Sequence, residues 1–408
     1  MTGVAISKSQ PCDKPPLLVV QYANPDYYPP TVNAVSLIRK AFEVHLICRN
    51  ADPPTCEWPA NVEVERVGGF AAVREKEAAG PLAKLREFTS FVRAVARRRS
   101  ALRPRLIYAY DIHALAAVFM SRREPNGSCP LVYQAHDQPE MEALPLSSLQ
   151  TWIARYAMRK VRRAAMVVYP EKHRAQYYMQ VARDPRPPVV VPNCASRTLV
   201  PFNPDLPALI ERRWRDRQII FTGTIGKGVG VLDAVRALAS LDIGARLRLF
   251  GPIPEPAFSD EIRELARALG LADRVSLEGW VPLESLVRHT MDAALGLVLY
   301  VGRELNDTFI ASATNKLFEY AARGIPAVVP DNQNFREFLE GESWVAYADP
   351  ASPQSLAAAI RTVFADRERY SAMCRAARRA FEEKYNYERV FAPVLERMLA
   401  LTADSRRR

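Results

Sequence analysis

Short apolar runs alternate with longer stretches of helical periodicity along almost the whole chain, and this alternation restricts the fold more than any single motif does. In the first half the runs are Leu17–Val20, Val44–Cys48, Val62–Val67, Leu106–Tyr110, Leu131–Gln134, Met166–Tyr169 and Val189–Val191. In the second half they are Ile219–Phe221, Leu247–Phe250, Val275–Leu277, Leu295–Tyr300, Ala327–Val329 and Trp344–Ala346. A strand that is apolar on both faces must be covered on both faces, and helices between consecutive strands supply that cover. The chain therefore reads as α/β, with two doubly wound, Rossmann-like halves and parallel sheets. Helices are expected near Val32–Ala41 and Lys84–Arg99, and a long amphipathic one near Tyr387–Leu401.

The alternation pauses once, over Asn193–Pro207, a proline-containing stretch without apolar periodicity. This pause divides the 408 residues into a first half (1–195), a linker (196–208), a second half (209–383) and a closing segment (384–408). A length of 408 residues suits two cores better than one.

Other classes are set aside by composition. No run of about 18 apolar residues is present for a membrane-spanning helix. The start, MTGVAISKSQPCDKPP, lacks the basic-then-apolar pattern of a secretory signal, so the cytoplasm is the expected compartment. Cys12, Cys48, Cys56, Cys129, Cys194 and Cys374 are scattered, with neither a disulfide framework nor metal-ligand spacing. The formal charge of +11 is compatible with nucleic acid, an anionic membrane or anionic ligands. Basic residues concentrate in Lys84–Arg105 and Arg155–Arg163, without the aromatic interleaving or finger spacing that nucleic-acid binding requires.

In open parallel sheets, ligands bind outside the carboxyl ends of the strands. The most informative segment there is SATNKLFEYAARGIPAVV, Ser312–Val329. Thr314 or Asn315 is placed to cap a helix, Gly324 to end it, and Pro326 to open a buried strand. Free amides at such a helix start suit a diphosphate. Lys316 adds a charge, and Glu319 stands one turn in, where a carboxylate can accept from two ribose hydroxyls. A capped helix with a surface glutamate is the plain structural alternative.

This segment resembles the donor-binding motif of the family-four glycosyltransferases with the GT-B fold. The resemblance implies a nucleoside-diphosphate sugar at the helix start, with Glu319 on the ribose. It extends over nearly the whole chain. FTGTIGKG, Phe221–Gly228, is similar to the glycine-rich loop opening the family's second domain, with Gly223, Thr224 and Lys227 near the diphosphate. Phe250-Gly251-Pro252 and Gly279-Trp280-Val281-Pro282 are similar to the loops around the base, Val281 pairing with its edge; ordinary turns would account for them equally. In Val132–Asp137, His136 falls at the end of a strand that, in the family, meets the sugar pocket. Asn193 matches a hinge turn, and the last helix matches an element crossing back onto the first domain. His45, His113 and His289 read as structural.

Three departures stand out. Ala311 occupies the place of a second, sugar-side glutamate, Thr224 that of an arginine, and Pro29-Pro30 that of common glycines. The resemblance implies a retaining transfer without metal or cofactor. His136 would touch the sugar, Lys316 would stabilise the leaving diphosphate, and the acceptor would be a glycan or a lipid-linked molecule. Two other readings compete: a sugar-nucleotide epimerase on the same fold, and an inactive relative acting as a partner. The two basic amphipathic stretches add the expectation of peripheral binding to anionic membranes.

Overall fold

The computed structural model describes residues 14–50, 57–68, 80–121, 129–136, 140–141, 144–145, 148–198, 205–302 and 304–404. Cys12 and Cys56 lie outside the described residues; Cys48, Cys129, Cys194 and Cys374 are free thiols.

The first sheet has seven strands: β1 (Pro16–Gln21), β2 (Glu43–Arg49), β3 (Val62–Val67), β4 (Leu106–Tyr110), β5 (Leu131–Gln134), β6 (Met166–Tyr169) and β7 (Val189–Val190). Their order is β3-β2-β1-β4-β5-β6-β7, all pairs parallel. The second sheet has six: β8 (Gln218–Thr222), β9 (Arg246–Phe250), β10 (Val275–Gly279), β11 (Leu295–Leu297), β12 (Ala327–Pro330) and β13 (Val345–Ala348). Their order is β10-β9-β8-β11-β12-β13, again parallel throughout. In each half the chain winds outward on one side, returns, and winds out on the other. The switch points are β1/β4 and β8/β11.

The period-two geometry of a strand divides each run between two cores. In β1, Leu18 and Val20 pack with Phe88, Phe91 and Leu115, while Leu17 and Val19 pack with Val35, Ile38 and Phe391. Each fully buried aliphatic side chain contributes roughly 1.5–3 kcal/mol, so the two-sided cover is what makes the alternation foldable.

Several boundaries differ from the sequence reading, for identifiable reasons. The first helix is Pro29–Ile38, starting ahead of Val32, because prolines at its first two positions forgo amides that would have no helical partner anyway. The strand expected at Leu295–Tyr300 ends at Leu297, where the chain leaves the sheet for the cleft. The basic stretch Arg155–Arg163 spans the end of helix Leu149–Met158 and a 3-10 turn, Val161–Arg163. The linker's end is already helical: Asp205 caps Leu206–Asp216, with Pro207 in its first turn.

The closing helix, Tyr387–Asp404, returns to the first sheet, where Tyr387, Phe391, Val394 and Met398 are buried against Leu17, Val19 and Tyr108. The chain thus passes between the halves twice, and the two crossings lie side by side. Ala195 bridges Asn386, Tyr387 N donates to the Ala195 carbonyl at 2.9 Å, and Ser196 Oγ donates to Glu388 at 2.6 Å. No helix among the described residues is long and apolar enough to cross a membrane.

Candidate active site in the cleft

The carboxyl ends of the second sheet open on a cavity of about 910 Å3. Tyr27 and Pro29 line it from the first half. Thr222 at the end of β8 and Gly223, Thr224 and Gly228 after it line the cavity, as do Gly251 and Pro252 after β9, and Trp280 and Val281 after β10. Tyr300, Asp307, Asn315, Lys316 and Glu319 also line it.

Two glycines make the floor possible. Gly223 and Gly251 have φ of 123° and 144°, and a Cβ at Gly251 would stand 1.9 Å from the Gly223 carbonyl oxygen. Only glycine lets the two backbones touch and leaves the floor open to a ligand. Beside it runs the helix Asn315–Ala322. Tyr320 fastens this helix to the sheet: its ring covers Gly296, and its hydroxyl accepts from the Thr222 amide at 3.1 Å.

Thr314 occupies the N-cap position but does not cap. Its hydroxyl pairs with the Tyr300 hydroxyl at 3.0 Å, and among the described residues no side chain bonds the helix-start amides. Those amides therefore retain their partial positive charge at the cavity. The far end of the helix is crowded with cations. Buried Arg213 donates to the Arg323 and Gly324 carbonyls at 2.9 Å, Arg323 to the Glu319 carbonyl at 3.0 Å, and Arg378 to the Ala322 carbonyl. Cations there reinforce the helix dipole.

Lys316 is 8% exposed. Its Nζ lies 4.3 Å from the Phe221 ring centroid and 4.5 Å from that of Tyr300, and its tip reaches the Gly223 backbone. Two aromatic faces hold the ammonium, and among the described residues no carboxylate pairs with it. Glu319, one turn on, is 9% exposed. Asn315 Oδ1 is buried without a partner. The cavity thus gathers an unpaired cation, free amides, a carboxylate and an unsatisfied amide oxygen, an assembly suited to an anionic, hydroxyl-bearing ligand.

The other expected residues divide. Gly223, Thr224, Gly251 and Val281 lie on the wall; Thr314 stands behind it. Lys227 is exposed and paired with Glu255 at 3.4 Å, away from the wall, because the loop carries its side chain outward. His136 is 5% exposed and is not part of the cavity wall; it lies against the start of the helix Pro29–Ile38, touching Tyr28 and Thr31. Its ring stacks between Tyr110 (5.0 Å) and Tyr28 (5.6 Å), and Nε2 meets Thr31 Oγ1 at 3.1 Å while Nδ1 has no partner. Burial pushes the imidazole down to about 3, so it is neutral at ordinary pH. Its amide donates to Asp111 Oδ1 at 2.7 Å, and Asp111 holds a left-handed φ of 66°. The other histidines pack: His113 stacks on Tyr22, and His45 lies between Glu43 and Glu63.

A polar seam that the sequence did not announce joins the halves. Asn193 Nδ2 donates to the Ala313 carbonyl at 2.7 Å, Ser312 Oγ to the Pro170 carbonyl at 2.8 Å, and Asn334 Nδ2 to Glu171 at 3.0 Å. Buried Arg174 donates to the Phe309 carbonyl at 2.6 Å, to the Asn306 carbonyl, and to the His136 carbonyl. On the cavity side the Tyr27 and Trp280 rings meet edge to face at 6.5 Å. Arg174 sits in a helix of ordinary polar composition, and only its tertiary partners reveal it. Among the described residues, no three His, Cys, Asp or Glu side chains converge as a metal site.

Two family models match the chain. One, described as a glycosyl transferase 4-like domain, spans residues 33–194; the other, glycosyl transferase-like, spans residues 231–396. No curated protein matches the sequence. Among solved structures, a sucrose-phosphate synthase from Thermosynechococcus elongatus is similar at 16% identity and TM-score 0.72, covering 95% of this chain and 100% of that one. Anabaena HepE in complex with UDP-glucose is similar at 18% identity and TM-score 0.69, covering 95% and 100%. A glycosyltransferase from Rickettsia africae is similar at 12% identity and TM-score 0.69, covering 96% and 99%. At these identities the likeness concerns the fold: two parallel sheets flanked by helices, facing each other across a cleft. With a glycosyltransferase model matching each half and this architecture throughout, the chain belongs to the family-four type of glycosyltransferases and has the GT-B fold.

Proposed function

We propose that the enzyme transfers a hexosyl group from a nucleoside-diphosphate sugar to a glycan or lipid-linked acceptor, with retention and without metal or cofactor. The supporting observation is the start of helix Asn315–Ala322, which among the described residues has no side-chain cap and no carboxylate paired with Lys316, with Glu319 one turn in. The diphosphate would lie against those amides and Lys316, the ribose on Glu319, and the base near Gly251 and Val281. As the bond to the sugar breaks, charge grows on the departing phosphate, where fixed dipoles and a desolvated ammonium are most effective. A departing phosphate oxygen would take the proton of the attacking hydroxyl. His136, neutral and held by Thr31, would shape the sugar side through the start of the helix Pro29–Ile38. Residues 1–195 would serve the acceptor, 209–383 the donor, with 196–208 as linker and 384–408 as the closing segment.

Epimerisation would need several acid and base groups converging on the sugar. The described wall carries two carboxylates, Asp307 and Glu319, and no histidine, which favours transfer. The test is thermal stabilisation by a panel of nucleotide sugars: a ligand that binds only the folded state raises the melting temperature by mass action. Stabilisation by one donor, followed by transfer to an acceptor hydroxyl, is the expected outcome. No stabilisation by any of them would overturn the reading and leave an inactive relative.

Peripheral membrane binding in the cytoplasm belongs to the same proposal, and its basis narrows to one patch. In helix Pro81–Leu102, Phe88 and Phe91 are buried in the core, while Arg97 and Arg98 pair with Glu63 and Glu65. In helix Leu149–Met158, Trp152 is 58% exposed, stacks on Tyr156 at 5.9 Å, and is flanked by exposed Arg155 and Arg159. An aromatic pair ringed by cations suits an anionic headgroup layer. Sedimentation with liposomes of rising anionic content should pellet the enzyme, less so at high salt. Equal pelleting with neutral liposomes, or none, would remove the membrane claim.

A further inference from the structure

We propose that the nucleobase of the donor stacks on the Trp280 indole and that Tyr27, brought by the other half, covers it. The inference rests on the donor reading above and names the side chains that hold a part of the donor which that reading leaves to Gly251 and Val281.

The position of the two rings follows from sheet order. The wall runs from Trp280 and Val281 after β10, through Gly251 after β9, to Gly223 and Thr224 after β8. Lys316, whose tip reaches the Gly223 backbone, marks the anion-holding end. Trp280 follows a strand two places away, and strands about 4.8 Å apart put these ends roughly 10 Å from each other. That is the order of the reach from a diphosphate across a ribose to its base. The lining changes along the way as a nucleotide requires: cationic at Lys316, apolar at Phe250, Val281, Leu286 and Trp280.

Trp280 is 50% exposed, and its loop is fixed at both ends. Gly279 ends β10 at a left-handed φ of 74°, and its carbonyl accepts from the Gly251 amide at 2.8 Å. Pro282 begins the helix Leu283–Thr290 as its N-cap, and its carbonyl accepts from the Leu286 amide at 2.8 Å. Trp280 and Val281 are thus held between the cavity floor and a helix start. A large ring fixed this way, with its apolar surface toward a cavity, is prepared for a flat ligand.

Tyr27 is displayed from the first half in the same manner. It is 54% exposed and meets the indole edge to face at 6.5 Å. It ends the 3-10 turn Pro25–Tyr27, and the residue before it is an anchor. The buried Asp26 carboxylate accepts from Arg66 Nη2 at 3.0 Å and from Trp58 Nε1 at 3.0 Å, and Asn24 Oδ1 accepts from Arg66 Nη1 at 3.1 Å. The turn is therefore pinned to β3, and both rings line the cavity. A base that enters at this end meets the two of them together. Every base offers a flat face, so the rings supply affinity and leave the choice of base to edge contacts near Val281.

Calorimetry with UDP, ADP and GDP, read alongside tryptophan emission, tests the assignment in the wild type, Trp280→Ala, Trp280→Phe and Tyr27→Ala. Trp280→Ala should weaken each nucleotide that binds the wild type roughly ten- to a hundredfold, by a similar factor for each. Trp280→Phe keeps a ring and should restore most of that affinity. It should also abolish the emission change on nucleotide binding, although the other tryptophans stay in place. Tyr27→Ala should weaken the nucleotide about three- to tenfold. Wild-type affinity in either alanine variant, affinity in Trp280→Phe as low as in Trp280→Ala, or an emission change that survives in Trp280→Phe would overturn the stacking and leave the donor site standing. Binding of none of the three nucleotides to the wild type would overturn the donor reading and this inference with it.

Discussion

Lys316 and Glu319 lie three residues apart on one helix face, yet their surroundings differ in kind. The lysine is gripped by the rings of Phe221 and Tyr300, which leaves its charge for the cavity; the glutamate stands at the wall one turn on. Glu319→Ala should weaken donor binding by about 1.5–3 kcal/mol, the loss of a charge-assisted hydrogen bond. An unchanged calorimetric dissociation constant would remove Glu319 from the ribose. His136 yields a prediction of another sort. Its folded value of about 3 lies below the ordinary 6.5, so between those values the unfolded chain binds a proton that the folded one refuses. The contribution is intact above about pH 6.5 and is lost as the pH falls toward 3, at up to about 1.4 kcal/mol per pH unit. His136→Phe, which keeps a stacking ring between Tyr28 and Tyr110, should flatten the acid limb of melting temperature against pH. Parallel limbs in the two proteins would mean that the ring is not held neutral in the core.

Among elements, the helix Asn315–Ala322 was readable as a helix starting at a strand end, but the reason its first amides lack a side-chain cap among the described residues was not. Thr314 looked like a cap, and only the position of Tyr300, on a loop brought in by β11, turns its hydroxyl away. Tyr320 belongs to the same account, because it ties the helix to the end of β8. Tyr320→Phe leaves the Thr222 amide and the Leu297 carbonyl without that hydroxyl and should cost about 1–3 kcal/mol in chemical denaturation. Donor affinity should fall with it as Gly223 loosens; full affinity in a destabilised variant would separate the tie from the site. The helix Pro81–Leu102 is the opposite case. Its basic residues suggested a free cationic face, whereas the edge strand β3 brings Glu63 and Glu65 against Arg97 and Arg98 and neutralises part of it.

At the scale of the molecule, two covalent crossings and a polar seam join the halves, and polar seams open more readily than apolar ones. The side-by-side crossings at Ala195 and Asn386 are placed to act as a hinge, while the Tyr27–Trp280 contact closes the cavity side. Donor in the cavity should shift the molecule toward its closed form, as closing clefts do to exclude water. Small-angle scattering at saturating nucleotide should register a smaller radius of gyration. Replacing Arg174 with alanine should enlarge the unliganded radius by freeing the turn Leu305–Thr308 from the first half. An unchanged radius in both experiments would mean that the halves behave as one rigid body.

The sequence by itself determined the parts whose physics is local. Two-sided apolar runs had to become covered parallel strands, a pause rich in proline had to fall between cores, and NKLFEYAARG had to be a helix with its start at a strand end. Glu319 and Lys316 follow from that helix, because three- and four-residue spacing assigns a face without reference to anything distant. Tertiary structure decided whatever depended on a partner far along the chain. It placed His136 against the start of the helix Pro29–Ile38 rather than on the wall, where Thr31, 105 residues earlier, takes its Nε2. It sent Lys227 outward to Glu255, made a buried clasp of Arg174, and set Asp307 on the wall by resting it on Gly302 and anchoring its turn across the cleft. Periodicity records which face of an element is buried. The identity of the neighbour that buries it is decided only when the sheets order their strands and the halves meet.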